Sequence, residues 1–197
     1  AARLLKEAGW DVKNGRLVNA KGEAFTIDML LRDPSYERMG APWAQNLQRL
    51  GIQLNMRSVD SAQYVNRVRS FDYDVIYAGW GQSNSPGNEQ RFFFSSRAAD
   101  NPASQNYAGI KSPAIDKLIE AVIHAPNRKE LVVATRALDR VLTWGQYIVP
   151  TFGLNADRIA YWDKFGKPEK TPKNGVDFMS WWVDQDKAAR INAARGR

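Results

Sequence analysis

An α/β fold, a mixed sheet with flanking helices, is what this sequence predicts, and three observations carry the prediction. Between residues 24 and 79 strand-like alternation and helix-like spacing take turns, giving strand, helix, strand, helix, strand. Two longer stretches, 113–123 and 128–145, carry apolar stripes at helical spacing. The composition is that of a globular chain, with 44% hydrophobic and 25% charged residues over 197 positions, so there is enough apolar material for a core.

The elements follow in order. Residues 2–8 read as a helix stopped at Gly9. Asn14-Gly15 and Lys21-Gly22 are turn signals around Leu17-Val18 and predict a hairpin-like excursion. Residues 24–31 read as a strand with Phe25, Ile27 and Met29 on one face, broken by Asp33-Pro34-Ser35. Ser35 is the expected cap of the next helix, which carries Met39, Trp43, Leu47 and Leu50 and ends at Gly51. Ile52, Leu54 and Met56 alternate with polar residues as a strand does. Asp60-Ser61 opens a short helix bearing Tyr64, Val65 and Val68, and residues 71–79 read as the next strand.

Residues 80–112 read as one long irregular region, and such a loop inside a domain points to function. Ser112-Pro113 opens a helix with the stripe Ile115, Leu118, Ile119, Val122 and Ile123. After Pro126-Asn127 a second helix presents Leu131, Ala134, Leu138, Val141 and Leu142, so the two form a helical hairpin. Residues 147–154, 158–161 and 178–183 read as strands, 163–175 as a Pro/Lys/Gly loop, and Asp184 as the cap of a terminal helix.

Composition excludes several chemistries. No cysteine means no disulfide, thiolate zinc site, iron–sulfur cluster or cysteine nucleophile. A single histidine, His124, excludes a histidine metal cage, and no metal or other cofactor is expected. No run of eighteen apolar residues offers a membrane-spanning helix. The net charge of +7 comes from 28 basic residues interleaved with 21 acidic ones, not from one basic cluster. A basic nucleic-acid-binding module is therefore an alternative without a motif to carry it. No glycine-rich phosphate loop and no nucleophile elbow is present. The opening AARLLKEAGW has neither a start methionine nor a secretory pattern, so the chain is expected to be processed or to be a piece of a longer one.

Three sets of residues remain as candidates. His124 reads as a helix-end residue helped by the dipole. Asp72 and Asp74 share a strand face at period two and offer an alternative enzymatic reading, an acid/base pair of a glycoside hydrolase-like cleft; their place at the start of the strand favours solvated or capping carboxylates. Of the seven tryptophans, Trp43 and Trp144 fall at helical core positions, and one ring of Trp181-Trp182 is expected to meet another layer. Trp80 stands at the carboxyl end of the third strand, before Gly81-Gln82-Ser83-Asn84. One apolar wall beside small polar groups suits a ligand site, and a ring plugging the sheet end is the competing reading.

AARLLKEAGW, FDYDVIYAGW, NYAGIKSPAIDKLI and ATRALDRVL…IVPTF, in that order, resemble the family 5 extracellular solute-binding proteins of peptide-importing ABC transporters. SPGNEQRFFFSS ahead of NYAGIKSP is similar to the YejA-like subgroup. The resemblance implies one lobe of a two-lobed periplasmic binding protein, with this chain a C-terminal portion. Residues 1–155 are then the bulk of one lobe, and 156–197 a return segment toward the other. It implies a peptide or peptide-like ligand held between lobes, an inner-membrane ABC permease as partner, a periplasmic location, and no catalysis. The site it implies comprises Trp80, Gly81, Gln82, Ser83 and Asn84, with Arg69 facing a ligand carboxylate and Phe152 as a further wall. Where well-known peptide binders of the family carry an aspartate three residues after the tryptophan, this chain has Ser83, whose neutral hydroxyl cannot replace the carboxylate's charge-assisted bond to an ammonium.

Overall fold

The computed structural model describes residues 1–151, 156, 158–172 and 175–196. The chain divides into two compact units, Ala1–Ile148 and Val149–Arg197. In the first unit, α1 (Ala2–Glu7) leads into a hairpin of β1 (Asp11–Lys13) and β2 (Arg16–Val18). Asn14 and Gly15 both take positive φ, 52° and 76°, as a tight two-residue hairpin turn requires. Leu17 is buried, and its N–H donates to the Gly51 carbonyl at 2.8 Å, so the hairpin is stitched to the end of the next helix.

The expected strand–helix alternation forms the centre of this unit. Strands β3 (Thr26–Leu31), β4 (Gln53–Ser58) and β5 (Val75–Ile76) make a parallel sheet in the order β4-β3-β5. Ile27 pairs with Leu54, and Met29 with both Met56 and Val75. Helices α2 (Glu37–Gln48) and α3 (Ser61–Arg69) are the crossovers. The cap before α2 is Asp33, not Ser35: a 3₁₀ turn, Pro34–Tyr36, precedes the helix, and the Asp33 carboxylate accepts the Ser35 N–H at 2.7 Å. The buried position of α2 is Gly40, while Met39 faces outward. The third strand is shorter than the expected 71–79. Phe71 takes φ of 57° and residues 71–73 close a turn, leaving Val75 and Ile76 to pair.

The stretch 80–112 is not wholly irregular. Its aromatic run folds as α4 (Glu89–Phe94), followed by α5 (Ser96–Ala99). Phe93 and Phe94 are buried against α6 (Pro113–Ile123) and α7 (Arg128–Trp144), with Ile110, Ile115, Ile119, Val122 and Leu138 completing that core. Ser112 and Asn127 cap these helices through the N–H groups of Ile115 and Glu130. Trp144 is 78% exposed rather than in the core, because the last turn of α7 runs past the apolar cluster.

The second unit is sparse. Strands β6 (Phe165–Gly166) and β7 (Trp182–Val183) pair antiparallel, and α8 (Gln185–Ala194) starts at an Asp184 cap. Trp181 lies among Tyr161, Phe165 and Phe178 at ring distances of 4.9, 6.1 and 5.0 Å, while Trp182 is exposed. Residues 178–180 form a 3₁₀ turn, not the start of a strand. Neither 147–151 nor 158–161 is a strand, since no neighbouring strand among the described residues takes up their backbone groups. The rest of the strand expected at 147–154 lies outside the described residues.

Candidate ligand-binding edge

Parallel strands bring their carboxyl ends to one edge, where open α/β sheets meet ligands. Here that edge carries Arg32 after β3, Asp60 after β4 and Tyr77 after β5. Tyr36 enters from the 3₁₀ turn and Tyr64 from the first turns of α3. The Tyr36 and Tyr77 rings lie 5.2 Å apart, and the Tyr64 hydroxyl donates to the Tyr77 carbonyl at 3.4 Å. Burial pushes the Tyr64 and Tyr77 hydroxyls above their ordinary range. Burial also pushes Tyr73 up to about 12, and its hydroxyl donates to the Tyr107 carbonyl at 2.9 Å. These phenols are therefore neutral hydrogen-bonding groups at neutral pH, and the edge is an aromatic surface with hydroxyl handles.

Trp80 is half-buried beside it. Its indole N–H donates to the Gln105 carbonyl at 2.8 Å, and its ring lies 5.3 Å from Phe94 and 5.8 Å from Tyr107. The segment that follows is exposed yet pinned at intervals. The Gln82 side-chain amide exchanges two hydrogen bonds with buried Gln90, at 2.8 and 3.3 Å. The Ser83 hydroxyl accepts the Ser85 N–H at 3.1 Å and keeps its own proton to donate. Arg128 reaches from α7 to the Asn84 carbonyl at 2.6 Å. Nothing lies within 4 Å of where a Cβ on Gly81 would sit, so the backbone there is open to approach. The arrangement sets a half-buried indole, packed against the apolar core, beside a row of exposed polar groups.

The remaining candidates lie elsewhere. Helix α3 runs back from the carboxyl edge, so Arg69 at its end is at the amino edge of the sheet, with its carbonyl taking the Ala103 N–H at 3.0 Å. Phe152 lies outside the described residues. Asp72 pairs with Arg67 at 2.8 Å, and Asp74 accepts the Asp28 N–H at 2.8 Å. Both carboxylates thus have partners toward the amino edge, Asp72 a guanidinium and Asp74 a backbone N–H. His124 ends α6 on the surface, its Nδ1 3.1 Å from the Glu120 carbonyl. Among the described residues no three acidic or histidine side chains gather to hold a metal ion, and no helix is long and apolar enough to cross a membrane.

Sequence reasoning missed Tyr36, Tyr64, Tyr77 and Tyr107. A signal existed for Tyr77, which directly follows an apolar strand run, and for Tyr107, inside the NYAGIKSP segment.

Residues 1–102 match the family described as bacterial extracellular solute-binding proteins, family 5 Middle. A probable peptide-binding protein YejA of Agrobacterium fabrum is 47% identical over 184 residues, covering 92% of this chain and 30% of that protein. A peptidoglycan-binding protein YepA of the same organism is 38% identical over 182 residues, again covering 92% of this chain and 30% of that protein. The chain thus spans less than a third of these relatives. The oligopeptide-binding protein AppA of Bacillus subtilis, solved with a nonapeptide, superposes with a TM-score of 0.69 at 20% identity, over 92% of this chain and 36% of that one. That likeness is one of fold.

Proposed function

We propose, on the premise that this chain belongs to the bacterial extracellular solute-binding proteins of family 5, that it supplies most of one lobe of a periplasmic protein that delivers peptides or peptide-like solutes to an inner-membrane ABC permease. Residues 1–155 are the bulk of that lobe, and 156–197 return toward a second lobe. The relatives' greater length supports this reading, because a closing pair of lobes needs more chain than 197 residues. One relative's name speaks of peptides and another's of peptidoglycan, so peptidoglycan-derived solutes belong to the proposed range.

The observation that carries the reading is the carboxyl edge itself: Trp80 seated by Gln105, with exposed Gly81–Asn84 beside it. In this reading the indole is the apolar wall, and the Ser83 hydroxyl and Asn84 amide meet the ligand's polar backbone. No bond is made or broken. Ligand binding shifts the lobes toward the closed state, and the permease reads that closure.

Truncating an aromatic at a buried contact costs about 2 kcal/mol or more. Trp80→Ala in the complete two-lobed protein should weaken peptide binding by roughly tenfold or more, measured by calorimetry with trialanine and with a peptidoglycan-derived tripeptide. Unchanged dissociation constants for both, with an unchanged circular dichroism spectrum, would return Trp80 to a purely structural role.

A further inference from the structure

Asn106 is fully buried, at 0% exposure, and every hydrogen-bonding group of its side chain is used. Its Nδ2 donates to the carbonyls of Ser95 and Ile110, both at 3.0 Å, and its Oδ1 accepts the Ile110 N–H at 2.8 Å. Two carbonyls and one N–H fix which end of the amide is which. Its own N–H is met by the Ser104 hydroxyl at 3.3 Å, and that hydroxyl donates to the Ala98 carbonyl at 2.6 Å.

The neighbours of Asn106 in sequence are the neighbours of Trp80 in space. Gln105, just before it, supplies the carbonyl that takes the indole N–H. Tyr107, just after it, supplies a ring 5.8 Å from the indole. The other wall of the indole slot is Phe94, 5.3 Å away, and Phe94 directly precedes Ser95. A residue that only closed its own turn would need the two Ile110 bonds alone. The Ser95 bond crosses to the end of α4 and ties one wall of the slot to the other.

We propose that Asn106 is a positioning residue that sets the orientation of Trp80 by holding the Phe94 and Gln105–Tyr107 walls at a fixed separation. Its functional meaning rests on the reading of Trp80 as the ligand's apolar wall. Asn106→Asp keeps the shape and replaces two N–H donors with an acceptor that faces two carbonyl oxygens, so the bond to Ser95 is lost.

The test labels the chain with 5-fluorotryptophan and follows fluorine resonances without ligand, assigning Trp80 by its disappearance in Trp80→Phe. Asn106→Asp should shift or split the Trp80 signal and leave that of Trp10, which lies over Phe25, in place. A Trp80 signal that does not move overturns the proposal. Should Asn106→Asp fail to fold, the unsubstituted chain decides. The Trp80 indole N–H and the Asn106 side-chain N–H groups should then show protection factors, each relative to its own intrinsic exchange rate, within about threefold of each other, because one opening event exposes both. An indole that exchanges like that of exposed Trp144 while Asn106 stays protected overturns it. Trialanine is then added to the labelled complete protein. If the peptide leaves the Trp80 signal unmoved while Asn106→Asp moves it, the positioning role stands and the ligand-wall reading fails.

Discussion

Ser83 stands three positions after Trp80, where the family resemblance puts a carboxylate. Its hydroxyl already accepts one backbone N–H, and its proton is left to meet a neutral acceptor. A buried carboxylate would be left unpaired by a ligand without an ammonium, whereas a hydroxyl is not. The complete protein should therefore bind acetylated and free-amine forms of one peptide within about threefold of each other. Ser83→Asp should favour the free amine by at least roughly tenfold through a charge-assisted bond. Calorimetry on the matched peptide pair checks this, and a strong preference of the unsubstituted protein for the free amine would refute it. At this scale the sequence was informative about chain-adjacent groups. Trp80 to Asn84 stand out as candidates because a strand end and a run of small polar residues mark them. Tyr36, Tyr64 and Tyr107 do not, since they come together only through the sheet edge and the packing around Trp80.

Elements with a local cause were the ones the sequence predicted well. The helix starts at Asp60-Ser61 and Ser112-Pro113, the break at Pro126-Asn127, the Asp184 cap and the Asn14-Gly15 turn are decided by neighbouring residues, and all are present. Outside the central sheet, elements that depend on a distant partner were misread. Residues 147–151 and 158–161 have the apolar content of strands, and the stretch with Phe93 and Phe94 reads as irregular although both rings are buried in the core with α6 residues. Gly51 joins the two kinds of cause. It takes φ of 78°, and a Cβ there would lie 2.6 Å from the Leu17 backbone nitrogen. The left-handed conformation alone costs a side-chain-bearing residue about 1–2 kcal/mol. The contact is with backbone, which cannot turn aside as a flexible side chain can. Gly51→Ala should thus destabilise the chain by about 2 kcal/mol or more, seen as a lower urea midpoint with an unchanged slope. A variant with the midpoint of the original would show that α2 and the hairpin separate without cost.

At the scale of the whole chain the two units differ in what holds them. Ala1–Ile148 contains every buried apolar residue among those described, from Leu17 to Leu138. Val149–Arg197 contains none; its described residues are half-buried at most. What it has is the Trp181 ring cluster, a two-residue strand pair and surface ion pairs such as Lys187 with Asp163. Exposed pairs of that kind contribute little, and a segment this short seldom builds an adequate core alone. Backbone amides open with free energies that follow local burial. Amides of β3 and α6 should therefore be among the most protected in the 197-residue chain, and those of β6, β7 and α8 should exchange at least about a hundredfold faster. Hydrogen exchange read by NMR on the isolated chain measures both sets at once. Limited proteolysis should agree, with first cuts inside 149–197 and a product near Ala1–Ile148 that persists. Equal protection across β3, α6 and α8 would mean that the second unit folds as cooperatively as the first. The second unit would then have a stabilising contribution that its own burial does not provide.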